Sequence, residues 1–197
     1  MIITEAGAIS DNELIARAID GHRAACERLA ARYHRAVFRM IYYRVGRRMD
    51  AEDLTQDVFI QMLRRLPSLR QPDRFRPWLF RIATNRVRDF RRKRWLQRTL
   101  GTIAGADDPP EAADPETPET RLMDRDFRDR LFGFLDILSR WEREVFLLRF
   151  VDGLTIPETA EVLGRSESTI KTHLYRAIRK FKDHPEIREM INRGDPP

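Results

Sequence analysis

TIPETAEVLGRSESTIKTHLYRAIRKF, residues 155–181, reads as two helices joined by a tight turn. Thr155 can cap the first helix, with Pro157 in a first turn that tolerates proline and Glu158 three residues after the cap. Gly164 can supply the turn, because it adopts a positive φ without steric cost. Ser166 can cap the second helix through the free amides of its first turn. At 100° per residue, Ile170, Leu174, Ala177, Ile178 and Phe181 share one arc, suited to packing on Ala160 and Leu163 of the first helix. The opposite arc holds Ser168, Thr172, Tyr175, Arg176 and Arg179, with Lys171 at its edge and Arg165 in the turn. Hydroxyls and cations at that spacing suit a helix laid in a DNA major groove. A solvated surface helix in an ordinary bundle presents a similar pattern, so the surroundings must decide.

Those surroundings are helical. Period-two alternation is absent and 3.6-residue patterns recur almost throughout, which predicts an all-α fold. The 197 residues allow one or two domains. Lys and Arg number 37 against 31 Asp and Glu, a net of +6 that points to phosphate or another acidic surface as partner. Cys26 stands alone, which excludes an internal disulfide or a cysteine metal cluster and suits a reducing, cytoplasmic compartment. No apolar run approaches the roughly 20 residues that span a bilayer, and the first residues lack the pattern of an export signal.

Towards the N-terminus, Asp11 opens a short helix with Leu14, Ile15 and Ala18 on its apolar side. A longer one from about 22 to 45 buries Ala25, Leu29, Tyr33, Val37, Met40 and Ile41, and Gly46 ends it. Asp50 is expected to cap the next helix, DAEDLTQDVFIQMLRRL (50–66), whose inner arc is Leu54, Val58, Phe59, Met62, Leu63 and Leu66. Its outer arc carries Asp53, Gln56, Asp57, Ile60, Gln61 and Arg64. An isoleucine centred between two carboxylates and two amides suits a protein interface, although a lone exposed apolar residue is common.

Between Arg64 and Arg98 lie 13 cations and 2 acids, a local net of +11. Pro67 and Pro72 bracket a loop, and Pro77 fits the first turn of a helix to about residue 95. Arg81, Asn85, Arg88 and Arg92 line its outer stripe, while Leu79, Phe80, Ala83, Val87 and Phe90 face inward and Trp78 flanks the stripe. So dense a run of one sign repels itself unless a polyanion neutralises it, which favours nucleic acid. Helical periodicity then lapses over 99–120, where GADDPPEAADPETPE (105–119) has the composition of a linker. The expected organisation is therefore a domain over 1–98, a linker over 99–124, a helix-turn-helix domain over 125–184 and a tail over 185–197. The acidic linker could screen a basic surface when DNA is absent. After it, Leu131, Phe134, Leu135 and Leu138 begin a helix, and WEREVFLLRFVDG (141–153) continues with Val145, Leu148 and Phe150 inside. His173 and His184 are isolated, and no Gly-rich phosphate loop, metal cluster or nucleophile–base arrangement is visible. Neither catalysis nor a cofactor is expected.

Three stretches together resemble the sigma-70 family, in its compact extracytoplasmic-function branch: DAEDLTQDVFIQMLRRL, FRPWLFRIATNRVRDFRRKR and LSRWEREVFLLRFVDGLTIPETAEVLGRSESTIKTHLYRAIRKF. The resemblance implies a promoter-specificity subunit of bacterial RNA polymerase. The helix carrying Asp53, Gln56, Asp57, Ile60 and Gln61 would dock on the clamp of the largest polymerase subunit, with a second contact to the polymerase flap. The segment with Leu69, Arg81, Asn85, Arg88 and Arg92 would recognise and open the −10 element, Asn85 matching the base-contacting asparagine. Many relatives place an aromatic residue where this chain has Leu69, and Pro72 stiffens that loop, leaving the identity of the flipped base open. Arg165, Ser168, Lys171, Thr172, Tyr175, Arg176 and Arg179 would read the −35 element. Elements about 17 base pairs apart lie roughly 58 Å along the duplex, within the roughly 70 Å that residues 99–120 span when extended. The family also implies an anti-sigma factor as partner. A self-sufficient helix-turn-helix regulator with an N-terminal sensor or dimerisation domain is the alternative, and it requires operator binding without polymerase.

Overall fold

A computed structural model describes residues 10–100 and 130–183. The acidic linker stretch and the tail lie outside the described residues. Among those described there is no strand. Helices α1 (Asp11–Ile19), α2 (Arg23–Val45), α3 (Arg48–Arg65) and α4 (Phe75–Thr99) form the N-terminal half. Two short 3-10 turns, Leu66–Ser68 and Pro72–Arg74, carry the chain from α3 to α4. The C-terminal half comprises α5 (residues 130–137), α6 (Arg140–Phe146), a wide π turn (Leu147–Val151), α7 (Ile156–Leu163) and α8 (Glu167–Lys182).

Capping fixes several of these boundaries. Asp11 opens α1 as expected, Ser10 caps it by accepting the Glu13 amide, and Asp11 pairs with Arg32 and accepts the Tyr33 hydroxyl at 3.0 Å. Gly46 closes α2 at φ 77, a conformation that costs glycine little. Asp50 does not cap α3: the helix begins at Arg48, and Asp50 sits in its first turn, where a carboxylate complements the helix dipole and faces Arg94 at 3.5 Å. The expected caps of the helix-turn-helix hold. Thr155 accepts the Glu158 amide and Glu158 reaches back to the Thr155 amide at 2.7 Å, Gly164 turns the chain at φ 62, and Ser166 accepts the Thr169 amide.

Two expectations about burial change. Leu63 is 47% exposed on α3, at the margin of the inner arc rather than within it. Phe150 is 46% exposed, because the α6 pattern passes into the π turn, where the Asp152 amide bonds to the Leu147 carbonyl five residues back. That wider turn rotates Phe150 outward and brings Leu147, Leu148 and Val151 inside.

The two halves do not stand apart. One apolar cluster runs from Leu29, Met40, Val58, Phe75 and Leu79 of the N-terminal half to Leu148, Leu154 and Val162 of the C-terminal half. Helix α7 lies against α4, and the π turn lies against α2. A second cluster, built on Phe134, Phe146 and Leu147, packs within the C-terminal half and receives Ala177 of α8.

Candidate nucleic-acid interface

Helix α8 is held by its inner face, with Lys180 at the edge donating to Glu142 at 2.7 Å. Ile170 and Ala177 are buried, and Leu174, Ile178 and Phe181 are partly so. Ser168, Lys171, Thr172, Tyr175, Arg176 and Arg179 are all exposed, Tyr175 by 69%, and Arg165 is exposed in the preceding turn. The six helical residues thus form one continuous outward strip. Thr172 turns its hydroxyl back to the Ser168 carbonyl at 2.9 Å, so its methyl is the group offered outward until the side chain rotates. Lys171 lies 3.8 Å from Glu167, an exposed pair that a phosphate can displace at little cost. The Arg165 guanidinium lies over the Trp141 ring at 4.7 Å, and that ring also takes the Arg140 guanidinium at 5.6 Å and stacks with His173 at 6.4 Å. Sequence alone attaches no role to Trp141, because the contacts that tie it to the α8 face come from Arg165 in the turn and His173 of α8.

On α4, Arg81, Arg88 and Arg92 are exposed and Asn85 is half-buried along the same stripe. Leu69 is half-buried against the main core, so this loop presents an aliphatic shoulder rather than a projecting ring. The remaining cations of the dense run divide. Arg74 pairs with Glu161 at 2.8 Å, Arg91 with Glu144 at 3.4 Å, and Arg76 donates to the Asp152 and Gly153 carbonyls at 2.6 and 3.1 Å. Self-repulsion in that run is therefore relieved partly from within, by the C-terminal half, and does not by itself require a polyanion.

A different surface lies between α2 and α3. Ile60, 42% exposed, and Leu63 border a groove of about 550 Å³ with Phe59, Ala30, Ala31 and His34 in its walls and Glu52, Asp53 and Gln56 at its edge. Asp57 is exposed but lies outside this groove. Gln61 turns towards α4, and with its carbonyl oxygen facing Arg86 it accepts from Nε at 2.7 Å, so it belongs to the α3–α4 contact. His34, to which the sequence attaches no chemistry, stacks its ring on Phe59 at 6.0 Å and forms part of the groove wall.

Between the halves, the Arg44 side chain is fully buried. Nε donates to Glu144 at 2.9 Å, Nη2 to Asp152 at 3.0 Å and Nη1 to the Met40 carbonyl at 2.7 Å. Burial pushes the Glu144 carboxyl up, but the charge and hydrogen bond of Arg44, with Arg91 and Arg143, outweigh it and hold the group below its usual range. Burial prevails at Asp152, whose carboxyl is raised. Sequence reasoning missed this trio, since its members are separated by 100 and 108 residues.

Among the described residues, which hold helices and turns and no strand, the two outward cationic faces on α8 and α4 suit a polyanion such as DNA. Residues 29–97 match Sigma-70 region 2, and residues 129–181 match Sigma-70, region 4. The chain is 38% identical over 170 residues to the ECF RNA polymerase sigma factor BldN of Streptomyces coelicolor, covering 85% of this chain and 62% of that protein. It is 31% identical to the RNA polymerase sigma factor NccH of Alcaligenes xylosoxydans, over 87% of this chain and 92% of the relative. A solved structure of CnrH, a sigma factor of Cupriavidus metallidurans, in complex with the cytosolic domain of CnrY superposes with a TM-score of 0.64 at 27% identity, covering 94% of this chain and 99% of that one. The chain belongs to the sigma-70 family, in its extracytoplasmic-function branch.

Proposed function

We infer that the chain is a promoter-specificity subunit, binding core RNA polymerase and directing initiation at promoters with −10 and −35 elements. The observation that carries this reading is the separation of outward faces: the strip on α8 lies in the part matching region 4, and the α4 stripe in the part matching region 2. Arg165, Ser168, Lys171, Thr172, Tyr175, Arg176 and Arg179 are assigned to the −35 duplex. The cations set register on phosphates, and Thr172, Tyr175 and Arg176 reach base edges. Arg81, Arg88 and Arg92 track the −10 backbone, Asn85 hydrogen-bonds a base, and the loop at Leu69 receives an unstacked one, offsetting part of the cost of opening the duplex.

The groove between α2 and α3 is assigned to the polymerase clamp. Its apolar floor and acidic edge fit a helical partner that offers aliphatic and basic side chains, with Asp53, Gln56 and Ile60 in direct contact, Asp57 beside it and Gln61 bracing α3 on α4. The flap of the polymerase is assigned to the C-terminal half. The chain acts by binding, with the chemistry of chain synthesis left to the polymerase, and works in the cytoplasm. A regulatory partner of the anti-sigma class fits as well, given that CnrH was solved with CnrY. Residues 1–98, 99–124, 125–184 and 185–197 are assigned to the −10 and polymerase-binding domain, the tether, the −35 domain and the tail. Run-off transcription with purified core polymerase tests the reading: transcripts from a defined promoter are expected only when this chain is added. Tight, specific operator binding without polymerase and no transcript with it would replace this reading by the self-sufficient regulator.

A further inference from the structure

The contact between the halves is hard to reconcile with simultaneous reading of two promoter elements. Helix α7 packs on α4 and α8 follows α7 after one turn. Packed helices lie about 8–10 Å apart, which places the axis of α8 within roughly 20 Å of α4. The elements to be read lie roughly 58 Å apart. The arrangement seen here must therefore open before both faces engage one promoter.

We propose that the free chain is held shut by a buried latch, in which Arg44 of α2 grips Glu144 and Asp152 of the C-terminal half. The proposal rests on the two-element reading of function. Around the trio, Arg39 donates to the Val151 carbonyl at 2.6 Å, Arg76 to the Asp152 and Gly153 carbonyls, and Arg91 to the Arg44 carbonyl and to Glu144. Four arginines of the N-terminal half thus converge on one short stretch of the other half, 144–153. The apolar drive comes from Leu148, Leu154 and Val162, buried in the shared core. The ionic part sets register more than it adds strength, because removing charges from water costs nearly what their attraction returns. Asp152 shows that cost: its Oδ1 is buried without a hydrogen-bond partner among the described residues. A latch of this kind is specific in the closed state and yields when polymerase and DNA engage the two halves separately.

The test uses the full chain. Small-angle scattering on the parent should give a radius of gyration near that of a compact chain of this length, about 16 Å before its tails are counted. A parent value already well above 20 Å would overturn the latch without any variant. Arg44→Ala leaves the buried Asp152 without its ion-pair partner and Glu144 with Arg91 alone, and Glu144→Gln with Asp152→Asn leaves a buried guanidinium without a counter-ion. Both should enlarge the particle with helicity retained by circular dichroism. Both should also raise free-chain affinity for a duplex carrying both elements, by roughly three-fold or more, as the inverse of the open fraction predicts. If Arg44→Ala loses helicity, the amide double variant, which alters only the other half, decides. Unchanged size in the double variant refutes the latch, and enlargement without a gain in affinity refutes its inhibitory role. Run-off transcription by the parent is read separately: its absence would remove the functional reading while the scattering result still judged the closure.

Discussion

At the scale of single residues, position and pairing decide what each side chain can contribute. Arg176 and Lys171 stand on the open strip of α8 with no buried partner to give up. Replacing either by Ala should weaken promoter binding, and each lost phosphate contact should reduce the salt slope by about 0.9. Salt titration of promoter binding by holoenzyme checks this, and unchanged slopes for both variants would exclude groove docking through them. Arg165 depends on a neighbour, because its guanidinium rests on Trp141. Trp141→Leu should cost −35 binding about 0.5–1 kcal/mol, the worth of a partly exposed cation–π contact. That loss should largely vanish when Arg165 is already Ala, which a double-mutant cycle measures. Glu142 is a purely structural counterpart. Burial pushes its carboxyl up, but the Lys180 ammonium at 2.7 Å and the Ser139 amide and hydroxyl outweigh it and hold it below the ordinary range. A depressed carboxylate stabilises the fold above its unfolded value and loses that contribution as pH falls through the folded one. Glu142→Gln should therefore lower Tm at neutral pH, and the gap should close only as pH falls below the ordinary carboxylate range.

At the scale of elements, the helix-turn-helix was legible because its signals are local. Thr155, Glu158, Gly164 and Ser166 act within four residues of themselves, and the inner arc of α8 follows from one period. The α3 groove was only half legible. Ile60 stood out on its own helix, but the wall that completes the site belongs to α2, and no pattern within α3 announces Ala30 or His34. Leu63 lies between the two arcs, so periodicity alone assigned it to the core, whereas the packing leaves it beside Ile60. The π turn was illegible for a different reason: bonding five residues back gives no repeat to count, and one turn is enough to carry Phe150 from inside to outside. If the groove receives the polymerase, Ile60→Asp should lower affinity for core enzyme by about 1–3 kcal/mol, the range for a central apolar anchor. Helicity should be unaffected, since the side chain is already 42% exposed. Fluorescence titration of core polymerase with labelled chain measures the loss, and normal affinity would move the docking site elsewhere. Asp57→Arg, outside the groove but on the same face, should cost less and should do so more at low salt.

At the scale of the whole molecule, composition and the acidic, proline-rich stretch suggested two independent bodies, and the shared core joins them. Neither helical pattern nor charge count could show this, because Arg44 looks like one more arginine at the end of α2 until Glu144 and Asp152 arrive from 100 and 108 residues away. Joined cores have a thermodynamic signature. When Leu148, Leu154 and Val162 are buried in the same cluster as Met40 and Phe75, neither half can unfold without stripping apolar surface from the other. The free chain should therefore melt in one calorimetric transition, with calorimetric and van't Hoff enthalpies equal. Arg44→Ala should split the trace in two, since it leaves Asp152 buried without its cation and Glu144 with Arg91 alone, a defect worth about 3–5 kcal/mol that separation of the halves relieves by hydrating both. Arg74→Ala is the matching control at the same boundary. Its pair with Glu161 is substantially exposed, so its loss should cost no more than about 1 kcal/mol and leave the transition single. Two transitions in the parent, or one in Arg44→Ala with Tm unchanged, would mean that the trio decorates the boundary and that the apolar contact alone couples the halves or fails to.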